Sequence, residues 1–504
     1  MRLTPEQDQA VELFATGRPL KIHAGAGTGK TTTLKAIAQS APQRAGAYLA
    51  FNRVIAQEAG RGMPMSVRST TMHSLAFNQV GPMLAARERL DAPRIHSAKL
   101  ARLMGINAGL LVEIGDRKKV LQPGWQASTV MKAVTTFCQS ARLQPTVLDF
   151  ARVPALDLPD ANGVRTWRNN DALAKELLPY LLGAWADLLD PGGRLRFTHD
   201  VYFKAAQLAG VEMPGDYLMV DEAQDLNPVM LAWLDTQRRL GKQVVYVGDS
   251  QQQIYEWRGA VDALDLAAGP DAHTTYLTQS FRFGPAIADV ANAILAELGA
   301  ELRLVGTPSI DSKLAHLAVP DAVLCRSNAQ AVHQVLGLQR LGLAPFLVGG
   351  SKEIVDFTHA AVALQVGKST SHPELACFNT WSEVLEYVEA DPQGDELRMM
   401  VNMLEDYGPE IVLEAVAGLV GEDGADVVVS TGHRAKGREW HRVRLAADFA
   451  EVAGHDGKVP PGEWRLLYVA CTRAQHELDI TWATPVRSLL NKPPAPMLTT
   501  GAPT

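Results

Sequence analysis

Short apolar runs of four or five residues recur in two stretches of the chain, and each gives way to a turn or to apolar positions at helical spacing. In the first stretch strand candidates fall at residues 20–23, 47–51 and 69–72, and again at the apolar runs 217–220 and 244–247 and at 274–277. Strand-then-helix alternation of this kind predicts a parallel sheet with helices on both faces. Residues 78–195 lose the rhythm. Segments 97–104, 125–141 and 170–189 carry apolar residues at helical spacing, and Asp190-Pro191-Gly192-Gly193 breaks the pattern. This stretch is expected to be a helical insertion whose Met and aromatic residues form its core. A second α/β unit starts near residue 283, with strands expected at 322–325, 345–348, 426–430, 443–447 and 478–482.

The predicted organisation is a first α/β domain from residues 1–77 and 196–280, interrupted by a helical insertion at 78–195. A second α/β domain takes residues 281–350 and 425–491 and is interrupted by a smaller helical insertion at 351–424. Residues 492–504, rich in Pro, Thr, Ala and Gly, are expected to be a disordered tail. No internal sequence repeat is visible, although two α/β units in tandem suggest a structural duplication.

Composition narrows the class. A chain of 504 residues has room for about three to four domains. Its 47% hydrophobic and 20% charged residues are the balance of a globular protein. No apolar run approaches the ~18 residues that span a bilayer. The first seven residues lack the apolar core of a secretion signal, so an intracellular protein with no membrane partner is expected. The four cysteines are scattered without a C-x-x-C pair, which argues against a zinc or iron–sulfur site and against disulfides. A net charge of −7 provides no global attraction for nucleic acid, so any such binding needs a local basic and aromatic channel.

The candidate chemistry begins at Ala24-Gly25-Ala26-Gly27-Thr28-Gly29-Lys30-Thr31-Thr32, between the first predicted strand and a helical run. A strand, a glycine-rich turn and a helix start in that order form a phosphate cradle: backbone N–H groups and the helix N-terminus face the anion. Lys30 would reach the β- and γ-phosphates, and the Thr31 hydroxyl would ligate Mg²⁺. The strict pattern asks for Gly where Ala24 stands. Asp221-Glu222 closes an apolar strand, where one carboxylate can help hold Mg²⁺ and the next can orient or deprotonate an attacking water.

The string Asp221-Glu222-Ala223-Gln224-Asp225, together with further motifs in the family's order along the chain, resembles the superfamily-one helicases of the UvrD/Rep/PcrA type. In that family Ala at the first loop position is normal. The resemblance implies two RecA-like domains in tandem, with ATP and Mg²⁺ as cofactors and Thr31 and Asp221 as the metal ligands. Leu3-Thr4-Pro5-Glu6-Gln7 is similar to the motif in which a glutamine, here Gln7, reads adenine. Residues 50–53 (with Phe51 and Asn52) and 71–75 (with His73) resemble two motifs that contact single-stranded DNA. Residues 247–260 resemble the family's third motif, with Gln252 sensing the γ-phosphate, Tyr255 and Trp257 stacking on bases, and Arg258 tracking phosphates. Ser280-Phe281-Arg282 resembles the fourth, with Phe281 stacking on adenine and Arg282 reaching the γ-phosphate. Residues 431–440 look like the fifth, implying DNA contact for His433 and nucleotide contact for Glu439. Residues 463–474 look like the sixth, which makes Arg473 the arginine finger.

Blander readings stand beside these: Trp257 as a core residue, His73 as a capping or satisfied core imidazole, and Arg282 and Arg473 as ordinary ion pairs. There are departures too. Thr32 stands where many relatives carry an adenine-flanking arginine, so base sandwiching would rest on Phe281, and residues 351–424 are short for the family's second insertion. The wording of the motifs is nearest to the F-box DNA helicase branch, and no F-box is evident. The expected activity is ATP-dependent 3′→5′ translocation on single-stranded DNA with unwinding at single-strand/duplex junctions, in the cytoplasm of a prokaryote or encoded by a phage. The alternatives are a non-unwinding translocase, with a protein loading or nuclease partner, and a phosphate-loop switch or kinase indifferent to nucleic acid.

Overall fold

A computed structural model describes residues 2–491 apart from residues 51, 93–94, 116, 159–163, 255–263, 265–268, 270, 391–394, 451 and 455–456. Its strands are, in chain order, β1 (Leu20–Ala24), β2 (Gly46–Ala50), β3 (Val67–Thr71), β4 (Leu110–Ile114), β5 (Arg117–Leu121), β6 (Tyr217–Val220), β7 (Gln243–Gly248), β8 (His273–Leu277), β9 (Lys313–Leu314), β10 (Ala322–Cys325), β11 (Pro345–Leu347), β12 (Val427–Thr431), β13 (Trp440–Leu445) and β14 (Ala474–Asp479). The chain divides into two compact units.

The first unit comprises residues 1–24, 29–277 and 351–418. Its sheet runs β3-β2-β6-β7-β1-β8, and every pairing is parallel. Strand composition follows sheet position. The inner strands β2, β6 and β7 are buried at every residue, as a parallel strand covered on both faces must be, whereas the edge strands β3 and β8 carry exposed residues. Helices Pro5–Ala15 and Lys30–Ser40 bury Phe14, Leu34 and Ile37 in the core with Ile22, Tyr48, Met219 and Val247.

The insertion after β3 is mostly helical, but residues 110–121 form an antiparallel hairpin, β4–β5, where the sequence reading expected none. Gly115 takes a left-handed φ of 58° at its turn, a conformation glycine adopts without strain. The 351–418 segment also belongs to this unit, although in sequence it lies between strands of the second sheet. Lys119 of β5 donates to Phe378 O at 2.6 Å and Asn379 Oδ1 at 2.9 Å, and Arg117 pairs with Glu386. Burial lowers the Lys119 pKa.

The second unit comprises residues 278–350 and 419–504 together with Gly25–Thr28. Its sheet, β11-β12-β10-β13-β14-β9, is again parallel throughout. The fold is therefore α/β with two RecA-like parallel sheets, as expected. One strand is displaced from its expected place: β14 covers 474–479 rather than 478–482. It pairs on one side with the two-residue β9, so it carries the polar residues Gln475, His476 and Glu477 that disguised it.

A candidate nucleotide site and nucleic-acid face

In the first unit, the C-terminal ends of β1, β6 and β7 bring four sequence segments together. Helix Lys30–Ser40 starts from Gly29, whose φ of 79° is left-handed, and no side chain caps it. Its first N–H groups are left to a ligand. Lys30 Nζ lies 3.7 Å from Glu222 Oε1. Tyr48, buried on β2, donates to Asp221 Oδ2 at 2.6 Å. Thr31 lies close enough to influence the same phenol, so Tyr48 neighbours both expected metal ligands, Thr31 and Asp221.

Burial raises the Asp221 pKa, with the adjacent Glu222 charge adding to it, while Tyr48 and Lys30 oppose the shift. A divalent cation against Asp221 would favour its charged form. Two hard oxygen donors suit Mg²⁺, which takes one or two protein oxygens and fills its shell with phosphate and water. Among the described residues no group of three or more His, Cys, Asp and Glu forms a metal cage, as such a site requires none.

Glu222 itself has a φ of 52°, the left-handed region that a non-glycine residue enters at a cost of roughly 1–3 kcal/mol. Its carboxylate is held from the far side: Gln224 Nε2 donates to Glu222 Oε2 at 2.5 Å. Gln224 Oε1 accepts from Asp249 N at 3.0 Å, and Asp249 Oδ2 accepts from Gln252 Nε2 at 2.7 Å. The expected γ-phosphate sensor is therefore wired to the expected base.

Gln7 is buried and closes a capping box at helix Pro5–Ala15: Thr4 Oγ1 accepts from Gln7 N, and Gln7 Oε1 accepts from Thr4 N at 3.0 Å. Ala24 is buried at the end of β1, and Thr32 is half-buried in the helix that follows.

On the nucleic-acid side of the expectation, Asn52 caps helix Arg53–Gly60, its Oδ1 accepting from Ile55 N at 2.9 Å. His73 is half-buried at the start of helix Met72–Val80, against the Phe203 ring at 4.7 Å, with Nε2 3.5 Å from Asp200 Oδ1. A cavity of about 310 Å³ runs from Asp221 and Glu222 past Asp225 to His73 and Asp200. Phe51, Tyr255, Trp257 and Arg258 lie outside the described residues.

In the second unit, Gly27 has a φ of 74°, and a Cβ there would lie 2.6 Å from Arg282 Cβ and 2.7 Å from Ser280 Oγ. A Cβ on Gly25 would meet Leu304 at 2.2 Å. Ala26 O accepts from Ser280 Oγ at 2.9 Å, Gly27 O accepts from Phe281 N at 2.8 Å, and Thr28 Oγ1 donates to Gly25 O. The Phe281 side chain is left open, the residue being 45% exposed. Arg282 donates to Glu439 Oε2 at 2.5 Å and Thr472 O at 3.0 Å. Arg473 is 1% exposed, its guanidinium donating to Val469 O, Arg438 O and Thr472 Oγ1. His433 sits half-buried in the turn after β12.

Residues 7–258 match a family model described as an AAA domain, and residues 426–481 match the UvrD-like helicase C-terminal domain. The chain belongs to the UvrD-like superfamily-one helicases. Within this family it is 29% identical to the F-box DNA helicase protein 1 of Schizosaccharomyces pombe, over 94% of this chain and 57% of that protein. It is 28% identical to the F-box DNA helicase 1 of Gallus gallus, over 94% of this chain and 48% of that one. The ATP-dependent DNA helicase UvrD2 of Mycobacterium tuberculosis matches at 25% identity over 95% of this chain and 78% of its own length. The chain spans about half the length of the F-box relatives it matches.

Three residues of this UvrD-like chain that join the site were not singled out from sequence: Tyr48, Gln224 and Asp200. Gln224 sits inside the acidic string itself, so a glutamine with no assigned role was the available signal. Tyr48 and Asp200 gave none, because only the strand order and the helix His199–Leu208 bring them in.

Proposed function

We propose that this protein is an ATP-dependent, Mg²⁺-requiring DNA helicase that translocates 3′→5′ on single strands. The observation that carries the reading is the unbroken polar chain in the first unit, from Lys30 through Glu222, Gln224 and Asp249 to Gln252. It supports a phosphoryl-transfer site in which base and γ-phosphate sensor respond to one another. Lys30 would hold the β- and γ-phosphates and Glu222 the attacking water, with Thr31 and Asp221 holding Mg²⁺. Arg282 and Arg473 would stabilise charge on the transferring phosphoryl group, a contribution on the order of 10³–10⁵ in rate. The relatives compared above are named DNA helicases, which favours DNA as the polymer.

The test is hydrolysis and strand displacement by the purified chain. Lys30→Ala and Glu222→Gln are expected to cut DNA-stimulated ATP hydrolysis at least ~100-fold with the fold intact; full turnover by either would sink the assignment. On tailed duplexes the protein should displace a strand from a 3′-tailed substrate and leave the 5′-tailed one paired. ATP hydrolysis stimulated by single strands without displacement on either substrate would mark a non-unwinding translocase instead.

A further inference from the structure

We infer that Gln224 is a positioning residue that sets the catalytic carboxylate of Glu222 and ties it to the turn preceding the DNA-contact string. This rests on the proposed role of Glu222. Gln224 is fully buried, and its amide has one partner at each end that matters. The donor end, Nε2, holds Glu222 Oε2 at 2.5 Å; the acceptor end, Oε1, takes Asp249 N at 3.0 Å. An amide is the side chain that can do both at once: a carboxylate lacks the donor, and an apolar isostere lacks both.

The surroundings are built around that amide. A Cβ on Gly248 would lie 2.2 Å from Gln224 Oε1, so glycine there leaves the oxygen its place. Asp249, whose N–H the amide accepts, also takes Gln252 Nε2 and Gln251 N on its carboxylate, so the short helical turn Ser250–Gln252 moves with it. Tyr255 and Trp257 follow Gln252 by three and five residues in sequence.

A shift of that turn on binding a single strand would therefore pull on Asp249 N and, through one rigid amide, re-aim the Glu222 carboxylate. The Glu222 backbone stands in the left-handed region, and its other carboxylate oxygen lies 3.7 Å from Lys30 Nζ, so the amide at Gln224 acts on a carboxylate that already faces the phosphate lysine. The Gln224 amide bonds the Glu222 carboxylate and Asp249 N. It acts through Glu222.

The experiment uses the full chain and measures ATP hydrolysis with and without oligo(dT), separating kcat from KM. Gln224→Met is expected to lower the stimulated kcat at least about ten-fold while KM for ATP stays within about two-fold. Gln224→Glu, which keeps the acceptor for Asp249 N and loses the donor to Glu222, should be as slow as Gln224→Met. Gly248→Ala should reproduce the kcat loss with the amide chemically untouched, since its methyl displaces Oε1. Wild-type kcat in Gln224→Met overturns the inference. So does a rise in KM equal to the fall in kcat, or a kcat loss matched by loss of the cooperative unfolding transition. Failure of the underlying reading looks different: wild-type protein would ignore oligo(dT), or Glu222→Gln would turn over normally, whatever the Gln224 variants do.

Discussion

The two sheets are built alike, yet the strand-to-helix turns that carry their chemistry are finished in opposite ways. In the first unit, β1 leads to helix Lys30–Ser40, whose N-cap is a left-handed glycine without a side-chain bond. In the second, β10 leads to helix Asn328–Arg340, whose N-cap Ser327 accepts from Gln330 N. There the protein supplies its own anion: Asp448 Oδ2 accepts from Arg326 N and Ser327 N at 2.9 Å each and from Ser327 Oγ at 3.1 Å. A helix N-terminus with orphan N–H groups attracts negative charge wherever it occurs. What differs is whether an internal carboxylate already sits there. The first turn is open to a phosphate, and the second is closed by Asp448. Two similar sheets thus yield one turn suited to a nucleotide and one that is structural.

The largest effect that would break this comparison comes from closing the open turn. Gly27→Ala forces a side chain into a φ of 74° and sets its methyl 2.7 Å from Ser280 Oγ, so KM for ATP should rise at least about ten-fold in steady-state hydrolysis. An unchanged KM would mean that the turn does not cradle the phosphates. Opening the closed turn should leave hydrolysis near wild type and act on stability. Asp448→Ala leaves Arg326 N and Ser327 N without their acceptor and is expected to cost about 1–3 kcal/mol by urea unfolding.

The pH dependence has a definite sign. Burial holds the Asp448 carboxyl above the usual range, in spite of the N–H groups that favour its charge. A carboxyl with a raised folded-state pKa contributes stability that is fully present below about pH 4 and lost as the pH rises through the folded value. The stability advantage of wild type over Asp448→Asn should therefore be larger at pH 4 than at pH 7; a larger advantage at pH 7 would reverse the assignment. The smallest effect is that of the cap. Ser327→Ala should cost about 1 kcal/mol, with no change in ATP hydrolysis.

Much of this is legible in the sequence. Strands such as 217–220 and 322–325 appear where the apolar runs put them, because a strand buried on both faces needs an uninterrupted apolar run and little else imitates one. The phosphate turn was equally plain, since its glycines report a backbone requirement that is local. The hairpin at 110–121 was not. Arg117-Lys118-Lys119 reads as a solvated face, and only the packing of the 351–418 segment gives Lys119 its buried acceptors. Asn52 and Gln7 were read for ligands, and each also serves as a local cap through the same amide oxygen. One side chain can satisfy both demands, and sequence does not rank them.

By itself, the sequence determined the alternation of strand and helix, the glycine-rich turn with Lys30 and Thr31, the acidic pair at Asp221-Glu222, and through its ordered motifs the family. Those are properties of neighbouring residues, set by side-chain period and backbone freedom. The tertiary structure alone decided that Tyr48 meets Asp221 across 173 positions, that Asp448 reaches Ser327 across 121, and that Gln224 bridges Glu222 to Asp249. In a parallel sheet the partners at one edge are chosen by strand order, and every connection between neighbours is a crossover. Which distant carboxylate, phenol or amide arrives at a strand end is therefore written in the topology, not in the spacing of residues along the chain.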